Sequence, residues 1–272
     1  MIMVAPVRHL ATPEIPGMVA NLPWRPAGSG AAATCVDLRG WLPTSVNQGT
    51  DPLCTAVVIA GLADYMAGRC HGFRRRASVL FNYCTSRMLA GEPHRRGSFL
   101  SFALSAWFRY GLVTERTWPH RTDLVDALPP EPVFDAALSW RERGFARLDS
   151  DELSGSQYVT ALRTALAAEL PVSLDIPLHL DLARSFRSGL LGPPDPEARI
   201  IGRHAVLLCG YDDAADMFLV QNCWGPSWGD GGFGYLPYDL VRTGQARNSY
   251  TVIPSCSAGS TESLGCEEEG CS

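Results

Sequence analysis

The stretch HAVLLCGYDDAADMFLVQNCWGPSWGDGGFGY occupies residues 204–235 and determines most of what the sequence indicates about the fold. Two apolar runs within it, 205–209 and 217–220, flank the polar segment 212–216. Apolar runs on both sides of a short polar turn are typical of a β-hairpin. The sequence therefore predicts two antiparallel strands in this region.

A histidine and an asparagine bracket this hairpin. His204 begins the first predicted strand and Asn222 ends the second. If the two are hairpin partners, the turn is centred on Asp213, inside the polar segment. Directly opposed side chains share one face of the pair, with Cβ atoms roughly 5 Å apart. We therefore predict that Asn222 orients the His204 ring and that the indole of Trp224 shields their contact from water.

A cysteine at a predicted helix start is the candidate nucleophile. Apolar residues recur with the helical period over 54–66, which predicts a helix beginning at Cys54. Pro52 suits its first turn, with Thr50 or Asp51 as the N-cap. The partial positive charge of a helix N-terminus lowers a thiol pKa, which favours the reactive thiolate.

Gln48 is the candidate donor for an oxyanion. It lies six residues before Cys54, so its side-chain amide and the Cys54 backbone N–H are predicted to face the same position. Thiol catalysis needs a thiolate, a proton partner, an orienting group and oxyanion donors. We interpret Cys54, His204, Asn222 and Gln48 as catalytic residues in those four roles.

The pattern of the chain changes once, from helical to strand-rich. Further helices are predicted at 78–90, 99–110 and 158–170, and a further strand at 172–176. We divide the chain into an extended N-terminal segment (1–34), a mainly helical lobe with the nucleophile (35–150), a β-rich lobe with His and Asn (151–254) and a disordered acidic, cysteine-containing tail (255–272). An α+β fold with a cleft between the two lobes is expected.

Composition limits the partners that the chain is expected to bind. The net charge of −5 gives no general basic field for nucleic acid. No apolar run approaches the ~18 residues of a membrane span, and the N-terminus does not resemble a signal peptide. The spacings of the nine cysteines, including Cys266 and Cys271 in the tail, form no paired C-x-x-C metal pattern. We expect a cytoplasmic protein without metal, membrane or nucleic-acid partners.

The order Gln, Cys, His, Asn, with Asn-x-Trp-Gly-x-x-Trp-Gly at 222–229, resembles the papain-like cysteine peptidases. Tyr-Gly, Glu and Trp-Pro at 110–119 are similar to that family's Tyr-Gly, Glu and Tyr-Pro segment. These landmarks cover about 35–254. The resemblance implies a papain-like two-lobed fold, with a helical lobe, an antiparallel sheet or barrel-like lobe, and the active site in the cleft between them.

The resemblance also implies roles for individual residues. Cys54 and His204 would form a thiolate–imidazolium ion pair, and a thioester acyl-enzyme would be the intermediate of peptide hydrolysis. Gly97 and Ser98 would pair with the backbone of a peptide or protein substrate, and Trp224 is a third substrate-binding candidate. Neither a metal ion nor an organic cofactor is needed for this chemistry.

Departures from the family pattern leave alternatives open. The family's Cys-Gly-Ser-Cys-Trp is here Asp-Pro-Leu-Cys-Thr at 51–55, and Cys223 replaces the usual Ser. The missing first cysteine, which forms a disulfide in secreted members, fits a reducing compartment and a bacterial-type member. The same residues are also compatible with an acyl transferase or peptide ligase that uses the same acyl-enzyme, or with an inactive peptide-binding homologue.

Overall fold

The computed structural model of the chain describes residues 33–253 apart from 73, 142–143, 181, 183–184 and 196. Predictions for 1–32 and for the acidic tail lie outside these residues. The helices are α1 (Cys54–His71), α2 (Val79–Leu89), α3 (Leu100–Tyr110), α4 (Glu131–Ala137), α5 (Gly155–Ala167), α6 (Ser185–Ser188) and α7 (Tyr238–Arg242). The strands are β1 (Cys35–Asp37), β2 (Phe145–Arg147), β3 (Val172–His179), β4 (Ile200–Asp212), β5 (Met217–Gln221), β6 (Phe233–Pro237) and β7 (Arg247–Val252).

The strands form one antiparallel sheet, which makes this an α+β fold. Its order is β2–β7–β3–β4–β5–β6, and β1 also pairs with β4. Strands β1 and β2 come from the segment predicted to be mainly helical, so the sheet collects strands from both parts of the chain. None of the helices in the described ranges is long and apolar enough to cross a bilayer.

Helix α1 is the central helix of the core. It packs against α2 and α3 on one side and against β3 and β4 on the other. Its apolar residues are buried all round, as is typical of a helix enclosed by protein. A Cβ atom at Gly61 would lie 3.2 Å from the Leu207 side chain, so the glycine lets α1 approach β4 closely. This packing brings the N-terminus of α1 to the sheet.

The predicted cap of α1 is wrong, although the helix does begin where expected. Leu53 occupies the N-cap position without a side-chain hydrogen bond, and Pro52 precedes the helix instead of lying in its first turn. Neither Thr50 nor Asp51 caps the helix, and the Asp51 carboxylate pairs with the guanidinium of Arg96. Without a capping side chain, the first amides of α1 stay directed at the site beside them.

The predicted hairpin is present as β4 and β5, but its predicted register is wrong. Leu207 pairs with Gln221, and a bulge near residue 209 shifts the pairing beyond it. Continued by one residue, this register places Asn222 two positions away from the predicted partner, His204. A shift of two residues keeps every side chain on its original face. The two side chains are therefore diagonal neighbours on one face instead of directly opposed partners.

Local signals set the ends of the other helices. Ser78 caps α2 by accepting a hydrogen bond from the Phe81 amide at 3.0 Å, as the predicted helix at 78–90 requires. Gly111 ends α3 with a positive φ of 82°. Helix α5 begins three residues before the predicted start, because Ser154 and Gln157 form a capping box. The Ser-x-x-Gln signal for that box is present in the sequence.

A buried carboxyl group on α1 ties this helix to the following loop. Asp64 Oδ1 accepts a hydrogen bond of 2.6 Å from the Ala77 amide. Burial raises the pKa of Asp64 to about 8, against the opposing effects of that bond and of Arg76. The folded protein therefore holds a proton that the unfolded chain loses above a pH of about 4. This group makes the folded state less stable as the pH rises from about 4 to about 8.

We expect Asp64→Asn to remove this pH dependence while keeping an oxygen that accepts from Ala77. Relative to the original protein, the variant should gain up to about 1.4 kcal/mol of unfolding free energy per pH unit between pH 4 and 8. Urea unfolding at pH 5 and pH 8 measures the difference. The exposed Asp123→Asn is the control and should show the same difference at both pH values. A constant difference for Asp64→Asn would contradict the assignment.

Candidate active site

The structure brings the four predicted catalytic residues to one place. Cys54 is the first residue of α1, His204 lies in β4, Asn222 directly follows β5, and Gln48 lies in the loop before α1. Hydrogen bonds that involve the backbone join this loop to the segment after β5: Ser45 Oγ to Asn222 O (2.6 Å), Gln48 N to Cys223 O (2.9 Å) and Gly225 N to Val46 O (3.2 Å).

The Cys54 sulfur lies among backbone amides. The backbone amides of Ala205, Thr55 and Cys54 itself lower the thiol pKa. Burial acts in the opposite direction and is the largest effect, and the charge of Asp175 adds to it, so that the pKa of Cys54 is raised to about 11. Ala205 directly follows His204 in β4, so the sulfur contacts the backbone next to the imidazole.

The His204 imidazole is held by an amide oxygen that accepts two hydrogen bonds. Its Nε2 lies 2.9 Å from Asn222 Oδ1, and the Cys223 backbone N–H donates to the same oxygen at 2.8 Å. Because an amide N–H needs an acceptor, this atom is the oxygen of the side chain. Nε2 therefore carries the hydrogen, and Nδ1 is left to accept a proton. Burial lowers the pKa of His204 to about 4, while the bond to Asn222 opposes that effect.

An indole covers this contact. The ring of Trp224 stacks on the His204 imidazole, with centroids 4.8 Å apart and planes 27° apart. The edge of Trp228 meets Trp224 in turn, at 5.9 Å. His204 is only 3% exposed and Asn222 2%. In these surroundings of low dielectric constant, the hydrogen bond between them is stronger than it would be in water.

Gln48 is linked to Cys223 through its side chain as well as its backbone. Its Oε1 accepts from Cys223 Sγ at 2.7 Å, and its Nε2 donates to Asp51 O at 3.1 Å. Cys223 Sγ also lies 3.7 Å from His204 Nε2. Sequence reasoning treated Cys223 only as a replacement for serine and missed its place in the site. Its position next to Asn222 is the signal that would have indicated it.

The predicted substrate-binding pair lies on the helical side. Gly97 has a positive φ of 87°, faces Pro52, and donates its amide hydrogen to Tyr83 Oη at 3.0 Å. The Ser98 hydroxyl is buried and has no hydrogen-bond partner within the described part of the chain. These two residues therefore flank the loop that leads to Cys54. Their pairing with substrate stays a prediction.

The chemical groups of this site are two thiols, an imidazole, amides and an indole. Together they can transfer a proton between sulfur and nitrogen and can donate hydrogen bonds to a nearby anion. Within 33–253, gaps excepted, no group of three or more His, Cys, Asp or Glu residues is arranged to hold a metal ion.

Comparison with known families gives one match over more than half of the chain. The family described as papain family cysteine protease matches residues 94–253. The matched region includes His204 and Asn222. Cys54 and Gln48 lie before it, so their assignment rests on the geometry described above.

Individual relatives are distant. An uncharacterized peptidase C1-like protein of Acanthamoeba polyphaga mimivirus is 23% identical over 77% of this chain and 69% of its own length. Cathepsin L1 of Drosophila melanogaster is 28% identical over 71% of this chain, which spans only 53% of that protein. The solved structure of xylellain, a cysteine protease from Xylella fastidiosa, superposes with a TM-score of 0.72 at 21% identity, covering 82% of this chain and 86% of that one. The superposition confirms the predicted α+β fold.

We expect His204 to titrate near pH 4 once the sulfur is removed. In Cys54→Ala no thiolate can stabilise the imidazolium, so burial, opposed by the bond to Asn222, sets the pKa of His204. Replacing Trp224 by Ala in the same background should raise that pKa towards the ordinary value of about 6.5, because water then reaches the ring. ¹⁵N NMR of the imidazole measures both, with His204→Gln to assign the signal. A pKa near 6.5 in Cys54→Ala would contradict the burial argument.

Proposed function

The chain belongs to the papain family of cysteine proteases, and from this premise we propose that it hydrolyses peptide bonds through a thioester on Cys54. The observation that carries the proposal is the position of the His204 imidazole. The imidazole is fixed by Asn222, and the amide that follows it in β4 contacts the Cys54 sulfur. The Cys54 thiol, at the N-terminus of α1, and a proton acceptor thereby share one site.

The first step is proton transfer from Cys54 Sγ to His204 Nδ1. Burial disfavours a lone thiolate or a lone imidazolium, but the transfer creates both charges together, and their attraction offsets part of that cost. The amides of Ala205, Thr55 and Cys54 further stabilise the sulfur anion. The reactive form is therefore the ion pair, with Asn222 Oδ1 accepting from the second ring nitrogen.

The second step is attack of the thiolate on the carbonyl carbon of the scissile bond. The carbonyl oxygen gains a negative charge, which the Cys54 backbone N–H and Gln48 Nε2 stabilise by donating hydrogen bonds. The contact with Cys223 fixes the oxygen end of the Gln48 amide, so its nitrogen end is the one presented.

The remaining steps release the two products. The His204 imidazolium gives its proton to the departing amine, the C–N bond breaks, and a thioester to Cys54 remains. A water molecule then attacks the thioester carbonyl after passing a proton to the imidazole. The C–S bond breaks, the carboxylic acid leaves, and the sulfur regains a proton.

Two further properties stay predictions. Likeness to bacterial members is supported by the bacterial structural neighbour, whereas the sequence relatives described above are viral and insect proteins. A cytoplasmic location is proposed from the missing disulfide cysteine beside the nucleophile, and the disulfide-bonded Cys70 counts against it.

A peptide carrying a thiol-reactive epoxide should label the protein at Cys54 alone. Cys54→Ala should lose both labelling and turnover of a mixed peptide library, because Cys54 is the thiol at the N-terminus of α1 beside the amide that follows His204. Cys84→Ala removes a different free cysteine and should keep both properties. Mass spectrometry identifies the labelled residue and the products. Turnover that survives in Cys54→Ala would refute the proposal, and products that carry an added amine acceptor in place of water would show acyl transfer.

Gln48→Ala should lower kcat on the order of 100-fold with little change in KM, because the lost donor acts only on the charged intermediate. Cys223→Ser keeps a donor for Gln48 Oε1 and should stay within a few-fold of the original kcat. Cys223→Ala should fall between the two. Steady-state kinetics on one fluorogenic peptide measure all three variants. Equal losses for Cys223→Ser and Cys223→Ala would show that the hydrogen bond to Gln48 has no role.

A further inference from the structure

A buried carboxyl group beside the nucleophile has no role in the reaction described above. Asp175 lies on β3 and is 6% exposed. Its negative charge raises the pKa of the Cys54 thiol. A negative charge near a nucleophile that must itself become an anion hinders the chemical step. The reaction described above therefore does not explain the position of the Asp175 carboxylate.

The sheet register places Asp175 opposite the residue whose amide contacts the nucleophile. Its partner on β4 is Ala205, and the pairing of β3 with β4 is regular on both sides of this position. Directly opposed residues of antiparallel strands project from the same face, with Cβ atoms about 5 Å apart. Since the Ala205 amide contacts the Cys54 sulfur, Asp175 lies one strand away from the reacting atom.

The face from which Asp175 projects is the one covered by α1. Leu207 lies two residues after Ala205 on β4 and so shares its face. The close approach of Gly61 to Leu207 shows that α1 covers this face. Because α1 begins at Cys54, the sheet beyond its first turn is no longer covered by the helix. Asp175 lies at this boundary, where a substrate held against Cys54 would pass.

The charged groups around Asp175 are directed elsewhere. Asn248 Nδ2 donates to Asp175 Oδ2 at 3.1 Å, which is a neutral contact. Arg203, the cation whose charge lowers the Asp175 pKa, donates its Nη1 to Gln245 O at 2.8 Å. Arg247 is the β7 partner of Asp175, and its Nη1 lies 3.9 Å from a carboxylate oxygen of Asp151.

A second carboxylate, Asp149, acts on Asp175 with a charge of the same sign. Asp149 raises the pKa of Asp175 and pairs with its own cation, Arg147, at 3.0 Å. Burial is the largest effect and, despite Asn248 and Arg203, raises the pKa of Asp175 to about 7. A buried carboxylate with a raised pKa is stabilised strongly when a bound molecule supplies a cation.

We propose that Asp175 recognises a positively charged side chain of the peptide substrate, an arginine or lysine close to the scissile bond on its acyl side. This inference rests on the proposed function, since it assigns the substrate class of the same site. The guanidinium or ammonium group would supply an ion-pair partner within 4 Å, which no cation among the described residues gives Asp175, and would anchor the peptide beside Cys54. Asp175 is thus a specificity residue, and the bond-making steps do not involve it.

The test uses matched fluorogenic tripeptides that differ only in charge. Arginine or its neutral isostere citrulline is placed in turn at each of the three positions before the scissile bond, with alanine elsewhere. At one position the intact chain should cleave the arginine peptide with a kcat/KM at least tenfold above that of the citrulline peptide. Asp175→Asn should reduce this ratio to about one by losing rate only on the arginine peptide.

Asp64→Asn is the matched control. Asp64 is also a buried aspartate with a raised pKa, but it lies ten residues along α1 from Cys54, roughly 15 Å by helix rise. Its arginine-to-citrulline ratio should equal that of the original protein. The ratio measured on the original protein tests the proposal even if Asp175→Asn fails to fold.

The possible outcomes distinguish a failure of the recognition role of Asp175 from a failure of the proposed peptide hydrolysis. Cleavage that depends on Cys54 but shows no preference for arginine at any position overturns the recognition role and leaves the proposed function intact. An equal loss on both peptides in Asp175→Asn assigns the residue a structural role and also overturns it. If the original protein cleaves no peptide and fails to react with the epoxide, both proposals fall together.

Discussion

The amide oxygen of Asn222 accepts hydrogen bonds from the His204 ring and from the Cys223 backbone, and the geometry of the site depends on this one atom. The backbone bond fixes which end of the amide faces the imidazole. That in turn fixes the ring nitrogen that carries hydrogen and the one that can accept a proton. The indole of Trp224 keeps water from competing for the same oxygen.

Much of this arrangement could be read from the sequence, because its signals are local. Helical periodicity predicted the start of α1 at Cys54, and the two apolar runs predicted β4 and β5. The pairing of His204 with Asn222 also followed from their spacing, even though the register behind it was two residues in error. The error in register did not affect the predicted contact between the two side chains, because side-chain direction repeats every two residues along a strand.

Other features could not be predicted because they depend on contacts between distant parts of the chain. The bulge near residue 209 leaves no clear sequence signal, and it decides the register. At the start of α1, Asp51 pairs with Arg96, forty-five positions away, instead of capping the helix. In the sequence Asp175 is one of the polar residues that alternate with apolar ones at 172–176, and only the pairing of β3 with β4 places it beside the nucleophile.

The seam between the loop before α1 and the segment after β5 has a consequence for the timing of folding. Ser45 reaches Asn222 across 177 positions, and Gln48 reaches Cys223 across 175. A nascent chain still emerging from the ribosome therefore holds its thiol long before its imidazole and asparagine have been synthesised. The reactive centre can therefore form only after the segment that carries His204 and Asn222 has been synthesised, so shorter nascent chains lack the complete site.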